Sequence, residues 1–293
     1  MLTEPITEAM MNSITTAPLI QVAELSALCD QDGPVLVDCR FDLQAPEAGY
    51  AAYLEGHIPG ASYAHLDRDL SGPPRSDHGR HPLPSPAHLC ALFGALGIAA
   101  GQRVVAYDDS GGMIAARLWW MLRYMGHTAI AVLDGGWQAW VNGGGAIKSG
   151  AEQCRPRRFE GVPRRDRLIT LDEVASIATL VDARAAPRFR GEVEPLDKHA
   201  GHIPGAHNHC WQNNLGVDGR FAAPPTLIQQ WRDSLGILPD AATVHYCGSG
   251  VSACHNVLAQ VAAGLPEPRL YCGSWSEWCR DDSRPRTTGG ESR

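Results

Sequence analysis

Three signals occur twice in this chain, in the same order. Val37-Asp38-Cys39-Arg40 returns as Val181-Asp182-Ala183-Arg184. Gly56-His57-Ile58-Pro59-Gly60-Ala61 returns as Gly201-His202-Ile203-Pro204-Gly205-Ala206. Leu133-Asp134-Gly135-Gly136-Trp137 returns as Tyr271-Cys272-Gly273-Ser274-Trp275. Between the last two signals of each copy lies an apolar run that ends in a glycine-rich turn. The first turn is Tyr107-Asp108-Asp109-Ser110-Gly111-Gly112 and the second is Tyr246-Cys247-Gly248-Ser249-Gly250-Val251. Self-similarity at this scale means duplicated domains. It also supplies an internal control: features of both copies belong to the scaffold, and features of one copy are candidates for chemistry.

A length of 293 residues accommodates two ordinary domains, each with its own core. Each half alternates short β-rich runs with helical patterns. The runs are 34–38, 103–107 and 129–133 in the first half, and 179–182, 243–246 and 269–271 in the second. Helical patterns cover Ser85 to Leu96, Met113 to Met125, Pro225 to Leu235 and Ser252 to Ala263. This alternation predicts an α/β fold with a parallel sheet in each domain and helices on both faces. Asn142 to Arg167 has linker composition, which places the first domain at 1–150 and the second at 151–293. The polar, glycine-rich tail from Asp281 to Arg293 is expected to be loosely held.

The formal charge of −7 gives no reason to expect nucleic acid or an anionic membrane as a partner. Met1 to Thr16 carries Glu4 and Glu8 and no Lys or Arg, unlike a secretory or transit leader. Apolar stretches are broken well short of a membrane span. The nine cysteines form no pairing pattern, and a reducing cytoplasm is the simplest setting for them.

Cys247 falls at a strand-to-loop junction, followed by Gly248-Ser249-Gly250 and a helix. Such a turn aims backbone N–H groups into its mouth, and the helix N-terminus adds positive potential. A thiol there is activated as a nucleophile, and the same cradle suits a persulfide or an oxyanion. Packing alone is the competing explanation, as for Cys39 and Cys90. The counterpart Asp108 in the other copy favours chemistry. A phosphatase or arsenate reductase would need an arginine six residues after the cysteine, where Ala253 stands. His245, two residues upstream on the strand, points down into the structure and packs there. His207-Asn208-His209-Cys210 has metal-ligand spacing but falls where a strand should start, so no metal site is assigned.

Taken together, the repeated Gly-His-Ile-Pro-Gly, the turn Cys247-Gly248-Ser249-Gly250-Val251-Ser252-Ala253 and the closing Gly273-Ser274-Trp275-Ser276-Glu277-Trp278 resemble the tandem-domain rhodanese superfamily, from about Leu19 to Arg286. Within it, thiosulfate sulfurtransferases carry a Cys-Arg-Lys-Gly pattern. The 3-mercaptopyruvate sulfurtransferases carry Cys-Gly-Ser-Gly-Val-Thr-Ala, which this chain matches with Ser252 for threonine.

The resemblance implies a sulfurtransferase that works through a Cys247 persulfide, with no cofactor or metal. The donor it implies is a small molecule, 3-mercaptopyruvate, with thiosulfate as the alternative, and the acceptor is cyanide or a thiol such as that of thioredoxin. A sulfur carrier without turnover is the alternative. The loop residues Gly248, Gly250, Val251 and Ser252 would contact the donor. Arg188, whose counterpart is Gln44, would bind the donor's carboxylate or sulfonate, and a guanidinium fork suits that task. Asp-x-Arg occurs in both halves and is read as a structural clamp. Ser249 would act with Asp67 and His81 of the first domain, with His78 as the alternative histidine. The family's second arginine, in Glu-Pro-Arg, is absent: the segment is Glu194-Pro195-Leu196. Arg190 is a candidate substitute.

Overall fold

The computed structural model describes residues 17–30 and 33–290 of the chain. The acidic start, Met1 to Thr16, lies outside them. The first domain contains β1 (Leu19–Ile20), β2 (Val35–Asp38), β3 (Ser62–Tyr63), β4 (Val104–Tyr107) and β5 (Ile130–Leu133). Its sheet has the order β1-β5-β4-β2-β3, with every pair parallel. The second contains β6 (Leu180–Asp182), β7 (His207–Asn208), β8 (Val244–Tyr246) and β9 (Arg269–Leu270), in the order β7-β6-β8-β9. A parallel bridge from Leu168 to Leu270 takes the place of β1, so the two domains share one topology. The strands β4 and β5 are buried along their whole length, as expected for runs covered on both faces by helices. Ser85 accepts a hydrogen bond from the His88 N–H at 3.2 Å and, with Pro86 next, starts the helix Pro86–Ala95.

The duplicated motifs do the same work in both copies. Arg40 forks onto Asp38, its Nη2 lying 2.6 Å from Oδ2, and donates to the Gly56 carbonyl at 2.7 Å. Arg184 does the same with Asp182 at 2.6 Å and Gly201 at 2.7 Å. The guanidinium of Arg40 lies over Trp137 and that of Arg184 over Trp275. The Asp-x-Arg is therefore a buried clamp tying a strand end to the Gly-His-Ile-Pro-Gly turn. A fully bonded fork is what a buried ion pair requires to offset its desolvation.

The two segments with loop composition are held down. In the first domain, His57 and Lys148 exchange backbone hydrogen bonds at 2.9 and 3.0 Å. In the second, His202 and Thr287 do the same at the same distances. Trp278 Nε1 donates to the Pro285 carbonyl at 2.9 Å, and the Gly289 N–H donates to Arg190 at 2.8 Å. The expectation of a loose tail is thus wrong for residues 281–290. Its polar composition conceals an edge pairing made by backbone alone. Residues 150–164 also run back along the first domain, where Phe159 packs edge-on to Phe93 at 5.0 Å.

Helices Ala115–Tyr124 and Ser252–Ala262, each following a glycine-rich turn, pack against each other. One apolar cluster runs through this contact, from Leu118 and Trp119 to Val257 and Leu258. The domains therefore share a core, and both turns open near the seam between them.

Candidate active site

Backbone geometry puts Cys247 at the end of β8 with its side chain turned into the loop. Its N–H donates to Ser274 Oγ at 3.1 Å, and its carbonyl accepts from the Trp275 N–H at 2.9 Å. The Gly250 N–H donates to Cys247 Sγ at 3.1 Å. Gly250 has φ +77°, and a Cβ there would lie 2.3 Å from the Cys272 carbonyl oxygen. Only glycine allows this turn of the loop. Among the described residues, the N–H groups of Ser249 and Val251 donate to nothing, so they are left for a ligand on the sulfur.

A cavity of about 210 Å³ opens over this loop, between the domains. Its size is below the ~300–1,000 Å³ of drug-sized ligand sites and suits a small acid. Cys247, Gly248, Ser249, Val251 and Ser252 line one side. Arg184, Arg188 and Leu196 come from the rest of the second domain, and Leu66, Arg80, His81 and Met113 from the first. Gly250 shapes the loop from behind without lining the cavity.

His81 Nδ1 lies 2.7 Å from Ser249 Oγ, and His81 Nε2 lies 3.2 Å from Asp67 Oδ1. A carboxylate only accepts, so the network places the imidazole proton on Nε2 and makes Nδ1 the acceptor of the serine hydroxyl. Burial pushes the His81 pKa down to about 4, with Arg117 and Arg80 adding to the effect and Asp67 opposing it. The ring is therefore neutral at physiological pH. His78, the alternative, lies 3.0 Å from Asp77 and faces a different cavity. Asp67 is half exposed and reaches the site only through His81.

Arg188 reaches the cavity, with its Nη2 at 2.7 Å from Glu194 and 3.2 Å from Asp197. Arg190 does not reach it. Two residues on in a short helical turn, it points the other way and pairs with Glu192 at 2.6 Å on an exposed face. The suggested substitution of Arg190 for the missing arginine is corrected by this geometry. His245 is buried, with Nε2 at 3.0 Å from Gln260, and His209 is committed to Ser234 and Asn214 at 2.8 and 3.0 Å. Among the described residues, no cluster of three or more His, Cys, Asp or Glu side chains could hold a metal ion.

Two arginines of the first domain are additional to those expected. Arg80 lines the cavity and ion-pairs with Asp197 of the second domain. Arg117 is fully buried in the helix Ala115–Tyr124 and donates to the carbonyls of Gly250 at 2.9 Å and His81 at 3.2 Å. One guanidinium therefore fixes the cysteine loop and the histidine that meets it. Its sequence signal is a charge inside the apolar run Ala115-Ala116-Arg117-Leu118-Trp119-Trp120.

Residues 21–143 and 166–281 each match the rhodanese-like domain family. The chain is 46% identical over 283 residues to a Pseudomonas aeruginosa protein named "Probable 3-mercaptopyruvate sulfurtransferase", covering 94% of this chain and 100% of the relative. It is 36% identical to the thiosulfate sulfurtransferase of Rattus norvegicus, covering 78% of this chain and 79% of that one. The solved structure of 3-mercaptopyruvate sulfurtransferase from Leishmania major superposes with a TM-score of 0.80 at 32% identity, over 89% of this chain and 73% of that one. The chain thus belongs to the rhodanese-like family, as a sulfurtransferase built from two tandem copies of that domain.

Proposed function

We propose that this sulfurtransferase takes sulfur from 3-mercaptopyruvate, holds it as a persulfide on Cys247 and delivers it to a thiol, such as that of thioredoxin, or to cyanide. Catalysis belongs to the second domain, residues 151–293, while residues 1–150 lend Asp67 and His81. The observation that carries this is the meeting of Cys247, Arg188 and the Ser249–His81 pair around one small cavity. Arg188 binds the donor's carboxylate through a charged fork. Ser249 Oγ lies beside the donor, its hydroxyl proton directed to His81 Nδ1 and the ring held by Asp67. The Cys247 thiolate attacks the donor sulfur. The new S–S bond forms as the C–S bond breaks, and its electron pair leaves on carbon as the enolate of pyruvate, which then takes a proton. The Cys247 persulfide lies against the free loop N–H groups, with Gly248, Val251 and Ser252 around it. An acceptor thiolate then attacks the outer sulfur and leaves as the persulfide, and Cys247 returns as thiolate. Two half-reactions of this kind give ping-pong kinetics.

Thiosulfate is the competing donor, since a thiosulfate sulfurtransferase is among the relatives. The loop's own residues do nothing for its second charge: Gly248, Ser249 and Gly250 bring no cation, and the arginines of the cavity come from outside the loop. The kcat/KM for 3-mercaptopyruvate is expected to exceed that for thiosulfate by about tenfold or more, the worth of one good charged contact. Arg188→Ala is expected to cost a similar factor with either donor. Equal or better use of thiosulfate would reverse the donor assignment, and the absence of turnover with any donor would favour a carrier. We place the reaction in the cytoplasm, because the cysteines are unpaired throughout. No helix among the described residues is long and apolar enough to cross a membrane.

A further inference from the structure

Three arginines and no carboxylate line the cavity over Cys247. Arg184 is committed to the clamp: Asp182, Glu194 and the Gly201 carbonyl occupy its guanidinium. Arg80 and Arg188 are different. Their side chains are 27% and 19% exposed, and both ion-pair with one buried carboxylate, Asp197. Arg80 meets Asp197 through Nη1, which leaves Nε and Nη2 without a hydrogen bond among the described residues. Arg188 uses Nε and Nη2 and leaves Nη1. These spare donors converge. A Cβ on Gly248 would sit 2.9 Å from Arg80 Nη2 and 3.5 Å from Arg188 Nη1. That point adjoins Cys247. The position of Arg80 is itself fixed, because its N–H donates to Ser276 Oγ of the second domain at 3.0 Å.

Resting on the sulfur-transfer function proposed above, we infer that Arg80 is a second anion-binding residue, which grips the donor's carboxylate together with Arg188 from across the domain seam. It supplies the guanidinium that the second domain lacks where Leu196 stands. Asp197 and Glu194 hold the two guanidiniums from behind, and the donor's carboxylate would meet the N–H groups that those carboxylates leave free. Neighbouring residues of one first-domain segment then serve the donor together: Arg80 holds its carboxylate, and His81 positions Ser249 beside it.

Steady-state kinetics with 3-mercaptopyruvate and saturating cyanide test this. Arg80→Leu should raise KM about tenfold or more while kcat stays within about twofold, and Arg80→Lys should recover part of the loss, since charge without the fork is a poorer match. An unchanged KM in Arg80→Leu would make Arg80 a strut between domains and overturn the assignment. A second readout does not depend on turnover: protection of Cys247 by pyruvate against the neutral alkylating agent iodoacetamide. Protection should be about tenfold weaker in Arg80→Leu. If the wild type transfers no sulfur yet this protection depends on Arg80, the anion site stands and the sulfur-transfer function falls. Protection that is equal in both proteins overturns the site.

Discussion

The turns at Asp108 and Cys247 are the same loop with opposite contents. Asp108 is fully buried, and its carboxylate accepts four backbone N–H groups of its own loop. Oδ1 takes those of Ser110 and Gly112 at 2.9 and 2.8 Å, and Oδ2 takes those of Ile114 and Ala115 at 2.8 and 2.9 Å. Burial pushes the Asp108 pKa up, and the four hydrogen bonds oppose that shift. In the second turn the N–H groups of Ser249 and Val251, equivalent to those of Ser110 and Gly112, find no acceptor among the described residues, the Cys254 N–H donates to the Val251 carbonyl at 3.0 Å, and the Gly250 N–H touches the sulfur. The first loop thus displays what the proposed Cys247 persulfide would ask of the second, an anion at the end of a short side chain. Where the anion is part of the chain, the loop is sealed and inert. Where it is a sulfur atom, the cradle stays open to a ligand.

The largest effect expected from this difference is at the cysteine. Cys247→Ser should abolish sulfur transfer and leave the fold intact, since the other copy folds with no thiol in that place. Intact-protein mass spectrometry after donor treatment should find one added sulfur on the wild type and none on the variant. Added sulfur on the variant would move the nucleophile elsewhere, Cys254 being next in the loop's helix.

Asp108→Ala probes the other side of the comparison. It leaves four N–H groups without their carboxylate inside a packed loop. A stability loss of about 3 kcal/mol or more should follow, from the cost of unmaking hydrogen bonds to a buried charge. Urea denaturation should record that loss, while kcat/KM changes by less than about twofold at 25 °C. Should stability be unchanged, the first loop would not be an anion cradle and the parallel between the two turns would fail.

Much of the scaffold was legible because it is written twice and in strong periodicity. The runs Val104-Val105-Ala106-Tyr107 and Ile130-Ala131-Val132-Leu133 are strands, and the shared Asp-x-Arg is a clamp in both copies. The loop around Cys247 was legible from its contrast with Asp108. Arg80 was not, because an arginine in a loop looks the same in sequence whether solvated or pressed into a seam, and the apolar run around Arg117 marks it as buried without saying what it meets. Only the packing of Ala115–Tyr124 on Ser252–Ala262 turns Arg117 toward Gly250. The tail from Asp281 to Gly290 escaped for a related reason: its pairing to His202 uses backbone atoms, which every residue type carries.

The smallest effect concerns acid, and it too comes from setting the copies side by side. His209, His245 and His255 are buried in the second domain, where the corresponding first-domain residues are Ala64, Ala106 and Ala116. Burial holds His209 and His245 down at about 4 and His255 at about 3. The unfolded chain carries these groups near the ordinary value of ~6.5. Between the two values the unfolded state binds more protons, so stability rises with pH and is lost as pH falls from ~6.5 towards 4. The buried Asp–Arg clamps occur in both domains and cancel in the comparison. His81 and His127 of the first domain are also shifted down by burial, which narrows the difference. Hydrogen exchange at pH 7 and pH 5 should therefore show strands β6 and β8 losing protection before β2 and β4, by about 1 kcal/mol or more, the worth of one pKa unit. Replacing His245 by alanine, as at Ala106, should reduce the pH dependence of the second domain even if it lowers stability at pH 7. Earlier loss in β2 and β4 would assign the acid lability to the first domain and remove the histidines from the account.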